Sequence, residues 1–145
     1  MQKKKPLSST GRKHNKQIES RIKGHMSQAK GLRYEQKVAS YLSEKGWHNI
    51  KFRVHKYCYE FDIEAKTEDF LAVAYLIVEC KDKDLVSARD VMRFNNKVKA
   101  YYDKLSGLML SEPDFRAYLC YSGELDKEAE VFLRGHKLIK AKKIR

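Results

Sequence analysis

Asp62, Glu79 and Lys81 are the residues of this chain whose types and spacing most invite chemistry. Asp62 lies in Tyr-Glu-Phe-Asp-Ile-Glu-Ala (59–65), where acids alternate with aromatic and aliphatic residues. Glu79 and Lys81 close the apolar run Leu-Ala-Val-Ala-Tyr-Leu-Ile-Val-Glu-Cys-Lys (71–81). Alternate side chains of a strand point to opposite faces, so Glu79 and Lys81 share a face and Cys80 takes the other. Asp62 precedes Glu79 by seventeen residues, on what should be the neighbouring antiparallel strand. Two carboxylates converging beside an ammonium can hold a hard divalent cation and orient a water. That is the minimum for metal-assisted hydrolysis of a phosphodiester.

The elements that must position these residues are legible in the hydrophobic pattern. Leu32, Glu35, Val38, Ala39 and Leu42 fall on one helical stripe, which Gly46 ends. Glu35 is the odd member: it either faces a cation or lysine at the edge of the core, or sits at the margin and reaches water. Residues 47–54 and 57–65 alternate as two strands, with Tyr57, Tyr59, Phe61 and Ile63 expected on one face of the second. Thr67-Glu68-Asp69 reads as a turn, and the run 71–81 as a central strand covered on both faces. Ser87 and Asp90 form a capping box opening a helix with the stripe Val91, Phe94, Val98, Tyr101 and Leu105. Gly107 and Pro113 bound a loop, residues 115–122 form a fourth strand, and Asp126 caps a last helix carrying Ala129, Phe132 and Leu133. The predicted order is α-β-β-β-α-β-α, an α/β fold with a central mixed sheet of about four strands flanked by helices.

The 145 residues predict one folded domain, over 31–133, between a basic N-terminal arm (1–30) and a basic C-terminal tail (134–145). The net charge is +12 and unevenly spread. Residues 1–31 carry nine Lys/Arg against the single acid Glu19, and residues 134–145 carry six with no acid. Basic ends on a nearly neutral body read as phosphate-seeking arms, because each phosphate neutralised releases condensed counterions. The alternative is that they only aid solubility. Lys3, Lys4, Lys5, Arg12, Lys13, Lys83, Lys140, Lys142 and Lys143 are the candidate nucleic-acid contacts. Cys58, Cys80 and Cys120 form an odd set without Cys-x-x-Cys spacing, so they read as small buried thiols. The lysines at the start are followed by no apolar core of a secretory signal, and no run is long enough to span a bilayer. A soluble, cytoplasmic protein is the expectation.

Glu-x-Lys occurs three times, at Glu35, Glu64 and Glu79, so the pattern alone selects nothing. Context selects the third, because it ends a buried strand, where ligand sites gather. The helix with Glu35, then Glu60-Phe61-Asp62-Ile63, then Ile77-Val78-Glu79-Cys80-Lys81, then a helix and a strand, resembles the PD-(D/E)XK nuclease superfamily. That superfamily includes restriction-endonuclease-like folds, Mrr-type restriction enzymes and archaeal Holliday-junction resolvases. The resemblance covers about residues 31–133. It implies that Asp62 and Glu79 bind Mg²⁺ (or Mn²⁺ in its place), with the Cys80 carbonyl as a further ligand. It also implies that Lys81 positions or activates the water and that Glu35 supports the metal directly or through water. Phe61 stands where a proline sometimes precedes the motif aspartate, and the serine loop typical of the junction resolvases is not evident before Asp62.

The activity so implied is Mg²⁺-dependent endonucleolytic hydrolysis of DNA in restriction, repair or recombination, leaving a 5′-phosphate. Double-stranded or branched DNA is the expected partner, and a homodimer could set two sites on two strands. Two other readings stand beside it: a junction resolvase, and a non-catalytic nucleic-acid-binding or ribonucleoprotein module. Glu60 and Glu64 could assist the metal, although solvated strand acids are the plainer reading. His55 reads as a surface histidine beside Lys56, and Tyr101-Tyr102 as core and edge rather than a stacking platform.

Overall fold

A computed structural model of the chain describes residues 29–69, 72–108 and 114–145. Its first helix, α1, covers 29–44. It is followed by β1 (His48–Lys56), β2 (Tyr59–Asp69), β3 (Ala72–Lys81), β4 (Leu85–Val86), α2 (Ala88–Leu108), β5 (Asp114–Tyr121), β6 (Glu124–Leu125), α3 (Lys127–Gly135) and β7 (Ile139–Lys143). The basic residues 1–28, including Lys3, Lys4, Lys5, Arg12 and Lys13, lie outside the described residues.

The main sheet has five strands in the order β1-β2-β3-β5-β7. The first three form an antiparallel meander, whereas β5 and β7 join parallel to β3 and to each other. Parallel neighbours need a crossover, and α2 and α3 supply one each. Both helices therefore lie on one side of the sheet, where Val91, Phe94, Val98, Tyr101 and Ala129 pack on Phe61, Ile77, Ala117 and Leu119. On the other side α1 lays Tyr34, Val38 and Leu42 against Ile63, Leu76, Val78 and Cys120. Strand β3 is thus covered on both faces, which is why its sequence is almost wholly apolar.

Local chemistry sets the boundaries. Gly46, at φ +92°, ends α1. The Gly46 amide donates to Ser43 O and the Trp47 amide to Leu42 O, closing a Schellman motif around a conformation that glycine adopts cheaply. Ser87 and Asp90 cap α2 reciprocally: the Asp90 amide donates to Ser87 Oγ and the Ser87 amide to Asp90 Oδ2. Asp126 caps α3 through Ala129 N.

Four sequence expectations need correction. Residues 134–145 are not an appended tail, because β7 completes the sheet beside β5 and raises the strand count from about four to five. The Ile144 amide donates to Tyr121 O and the Tyr34 hydroxyl to Ile144 O, so the end of the chain is tied to both β5 and α1. Residues 67–69 continue β2 rather than turning. Phe61 and Ile63 face opposite cores instead of sharing a face. Pairing of β1 with β2 runs from Phe52–Ile63 to Val54–Phe61 and omits Arg53 opposite Asp62. Arg53 has φ +50°, so alternation breaks where the motif aspartate stands. Finally, Cys58 is exposed in the turn after β1, Cys80 is half-buried, and only Cys120 is fully buried.

Candidate active site

The site forms where β2 parts from β3. Their ladder ends at the pair Ile63–Val78. Just beyond it the Cys80 amide donates to Asp62 Oδ2 at 2.7 Å, so a carboxylate stands where a main-chain carbonyl would otherwise complete the ladder. Asp62 is thereby held at the end of β3, beside Glu79. Burial, then the negative charge of Glu79, push its carboxyl up to about 6, while the Cys80 hydrogen bond opposes the rise.

Glu79 and Lys81 share a face of β3, with Lys81 Nζ 3.4 Å from Glu79 Oε1. Lys97 of α2 reaches the other carboxylate oxygen, its Nζ lying 3.1 Å from Glu79 Oε2. Lys97 also donates to Glu60 O at 2.9 Å and lies over the Phe61 ring. Three contacts fix this ammonium. Sequence reasoning missed it because Lys97 precedes Val98 on a polar helical flank, where a lysine carries no distinguishing signal. The depression beside these groups has a volume of about 540 Å³ and is lined by Tyr59, Glu79, Lys81, Arg93 and Lys97 among others. Three cations, Lys81, Lys97 and Arg93, line it together with the carboxylates Glu79 and Asp90.

Glu35 enters from the α1 side and is buried, with Oε2 lacking any hydrogen-bond partner. Its burial favours the sequence reading that places it at the edge of the core over the one in which it reaches water. Burial raises its carboxyl above the ordinary range; Arg53 opposes this, and Glu60 and Glu79 add to it. Glu64, expected to be solvated, is instead buried and paired with Lys56 at 3.1 Å. Glu60 and His55 are exposed. Lys83 is paired with Asp90, and Lys143 with Glu124. Lys142 lies over the Tyr118 ring, and Lys140 is exposed on β7.

The oxygen-rich donor set suits a hard cation. Asp62 and Glu79 are adjacent, the main chain at Cys80 lies between them and Lys81, and the orphaned Glu35 oxygen is what a cation or its water would satisfy. Among the described residues no three His, Cys, Asp or Glu side chains already stand together as a ligand set. The two oxygens of Glu79 lie against Lys81 and Lys97. The residue types fit a divalent ion, which would compete with these two ammonium groups for Glu79.

No family model matches the chain, and no curated protein matches it. Among solved structures, it is similar to a repair endonuclease from Pyrococcus abyssi, with 16% identity, 77% of this chain and 46% of that chain covered, and a TM-score of 0.53. It is also similar to EndoMS solved in complex with double-stranded DNA, with 13% identity, 75% and 44% covered, and a TM-score of 0.54. A protein of unknown function gives 20% identity, 74% and 56% covered, and a TM-score of 0.50. The chain spans about half the length of each. The α/β fold, a mixed sheet with helices on both faces, is one also found in that repair endonuclease.

Proposed function

We propose that this chain is a metal-dependent endonuclease of the PD-(D/E)XK kind acting on DNA, with Asp62, Glu79 and Lys81 as its catalytic residues and Glu35 in support. One observation carries the reading: Asp62 is anchored by the Cys80 amide beside a Glu79 that is bracketed by Lys81 and Lys97. The likeness of fold to a repair endonuclease, and to EndoMS solved with double-stranded DNA, supports DNA as the substrate. When bound, Mg²⁺ would supply charge neutralisation at the phosphate and a more acidic water. Asp62, Glu79 and the Cys80 carbonyl would hold it, with Glu35 reaching it directly or through water.

The chain's own residues do the rest. The phosphodiester enters the open depression, where Arg93 and Lys97 offer positive charge to its non-bridging oxygens. Lys81, a compact ammonium on the same face as Glu79, orients the attacking water and meets the charge that develops on the phosphate. Asp62, already costly to ionise, would hold the cation that offsets that cost.

The test is incubation of the full chain with supercoiled plasmid and with a synthetic four-way junction, in Mg²⁺ or in EDTA. Mg²⁺-dependent nicking of plasmid that Asp62→Ala, Glu79→Ala and Lys81→Ala each abolish, with DNA binding retained, is the expected result. Preference for the junction would select the resolvase reading. Tight binding without cleavage of either substrate would refute the enzyme and leave a binding module.

A further inference from the structure

The geometry points to a second phosphate-binding site, on the α1 side of the sheet and away from Glu79, formed by Lys45, Arg116 and Lys142. These cations come from the turn after α1, from β5 and from β7, and they line one cleft of about 300 Å³. Each sits over an aromatic ring: Lys45 over Tyr41 at 5.6 Å, Arg116 over Trp47 at 5.6 Å and Lys142 over Tyr118 at 5.3 Å. Trp47 and Tyr118 meet edge to face and belong to the α1-side core, so the floor is rigid.

No carboxylate lines the cleft. Among the described residues Lys45 and Lys142 form no ion pair, and Arg116 has only the exposed Asp114 at 3.6 Å. Three cations held together by fold rather than by counter-charge repel one another until an anion enters. Their π contacts orient the charges without neutralising them.

The shared chemistry of the ligand is a phosphate group, and the surroundings favour one carried by a nucleic-acid strand. Arg116 also borders a smaller adjoining depression with Lys137 and Lys140. The cations therefore continue as a track, which suits successive phosphates better than a lone ion. The inference deepens the nuclease reading by giving the substrate a hold away from the bond-breaking residues. It is measured without cleavage, so the two can fail separately.

Trp47 is the single tryptophan of the chain, and its stacking under Arg116 makes its fluorescence a direct reporter of this cleft. The full chain is titrated in EDTA with inorganic phosphate and, separately, with a short fluorescein-labelled DNA duplex followed by anisotropy. Both are expected to change Trp47 emission, the duplex at far lower concentration. Arg116→Gln, Lys142→Gln and Lys45→Gln should each weaken duplex binding by about three- to tenfold and reduce the slope of log K against log salt by about 1. Duplex binding by anisotropy with unchanged Trp47 emission and unaltered salt slopes in all three variants would overturn the site. A response to inorganic phosphate but not to duplex would overturn its assignment to a strand. Duplex binding with the expected Trp47 response, but no plasmid cleavage in Mg²⁺, would sink the enzyme reading and leave this one standing.

Discussion

At the residue scale, Asp62 is a side chain whose charge is costly to the fold. Its carboxyl is raised from the ordinary 3.8 to about 6 by burial and by Glu79. The folded state therefore binds this proton more tightly than the unfolded chain does. The stabilisation is complete below about pH 4 and is lost as pH rises through about 6. Asp62→Asn removes the ionisation and keeps an oxygen for the Cys80 amide. In EDTA at about pH 7.5 the variant should gain on the order of 2 kcal/mol in urea unfolding, and at about pH 4 it should gain nothing. Equal stability of variant and wild type at both pH values would show that Asp62 is not in the environment described. Lys97 makes a second residue-level case. If its ammonium serves the phosphate as well as Glu79, Lys97→Met should lower single-turnover cleavage by about 100-fold while leaving duplex affinity within about threefold. An unchanged rate would reduce Lys97 to a structural partner of Glu79.

At the scale of elements, the loops following β3 and β5 hold the end of the site in place. Ser122 Oγ donates to Asp82 Oδ1 at 2.7 Å, its amide donates to Lys81 O, and β4 pairs with β6 just beyond. Gly123 lies so close to this junction that a Cβ would come within 2.3 Å of the Asp84 and Lys83 carbonyl oxygens. Gly123→Ala should therefore cost about 1–3 kcal/mol in denaturant melts and depress cleavage, since the displaced backbone follows Lys81 directly. Gly135, with nothing near its Cβ position, is the matching control. The caps of α2 and α3, the apolar stripe of α2 and most of that of α1 were legible in the sequence because each follows from short-range spacing, although Leu32 is exposed and Tyr34 takes its place in the core. The motif pair on β3 was legible for the same reason. The face of Phe61 was not, because period-2 reasoning cannot see the break opposite Arg53. Nor was the burial of Glu64, which depends on Lys56 arriving from β1.

At the scale of the whole molecule, β7 is the element that composition hid. Ile139, Lys140, Ala141, Lys142 and Lys143 read as a basic tail, yet Ile139 and Ile144 are buried on opposite faces of the sheet. A chain ending at residue 138 should lose the cooperative unfolding transition seen by circular dichroism. A solubilising tail would leave that transition in place. The same strand presents Lys140 and Lys142, so charge and fold cannot be separated there. Among the described residues no helix is long and apolar enough to cross a membrane. In the function proposed for this chain, a divalent ion shared by Asp62 and Glu79 is what would turn DNA binding into hydrolysis. Titration of the full chain with Mn²⁺, read by the loss of free-ion electron paramagnetic resonance signal, tests that sharing directly. The account predicts one saturable site in the wild type that Asp62→Ala and Glu79→Ala each weaken by at least about tenfold; equal Mn²⁺ binding by all three proteins would contradict it.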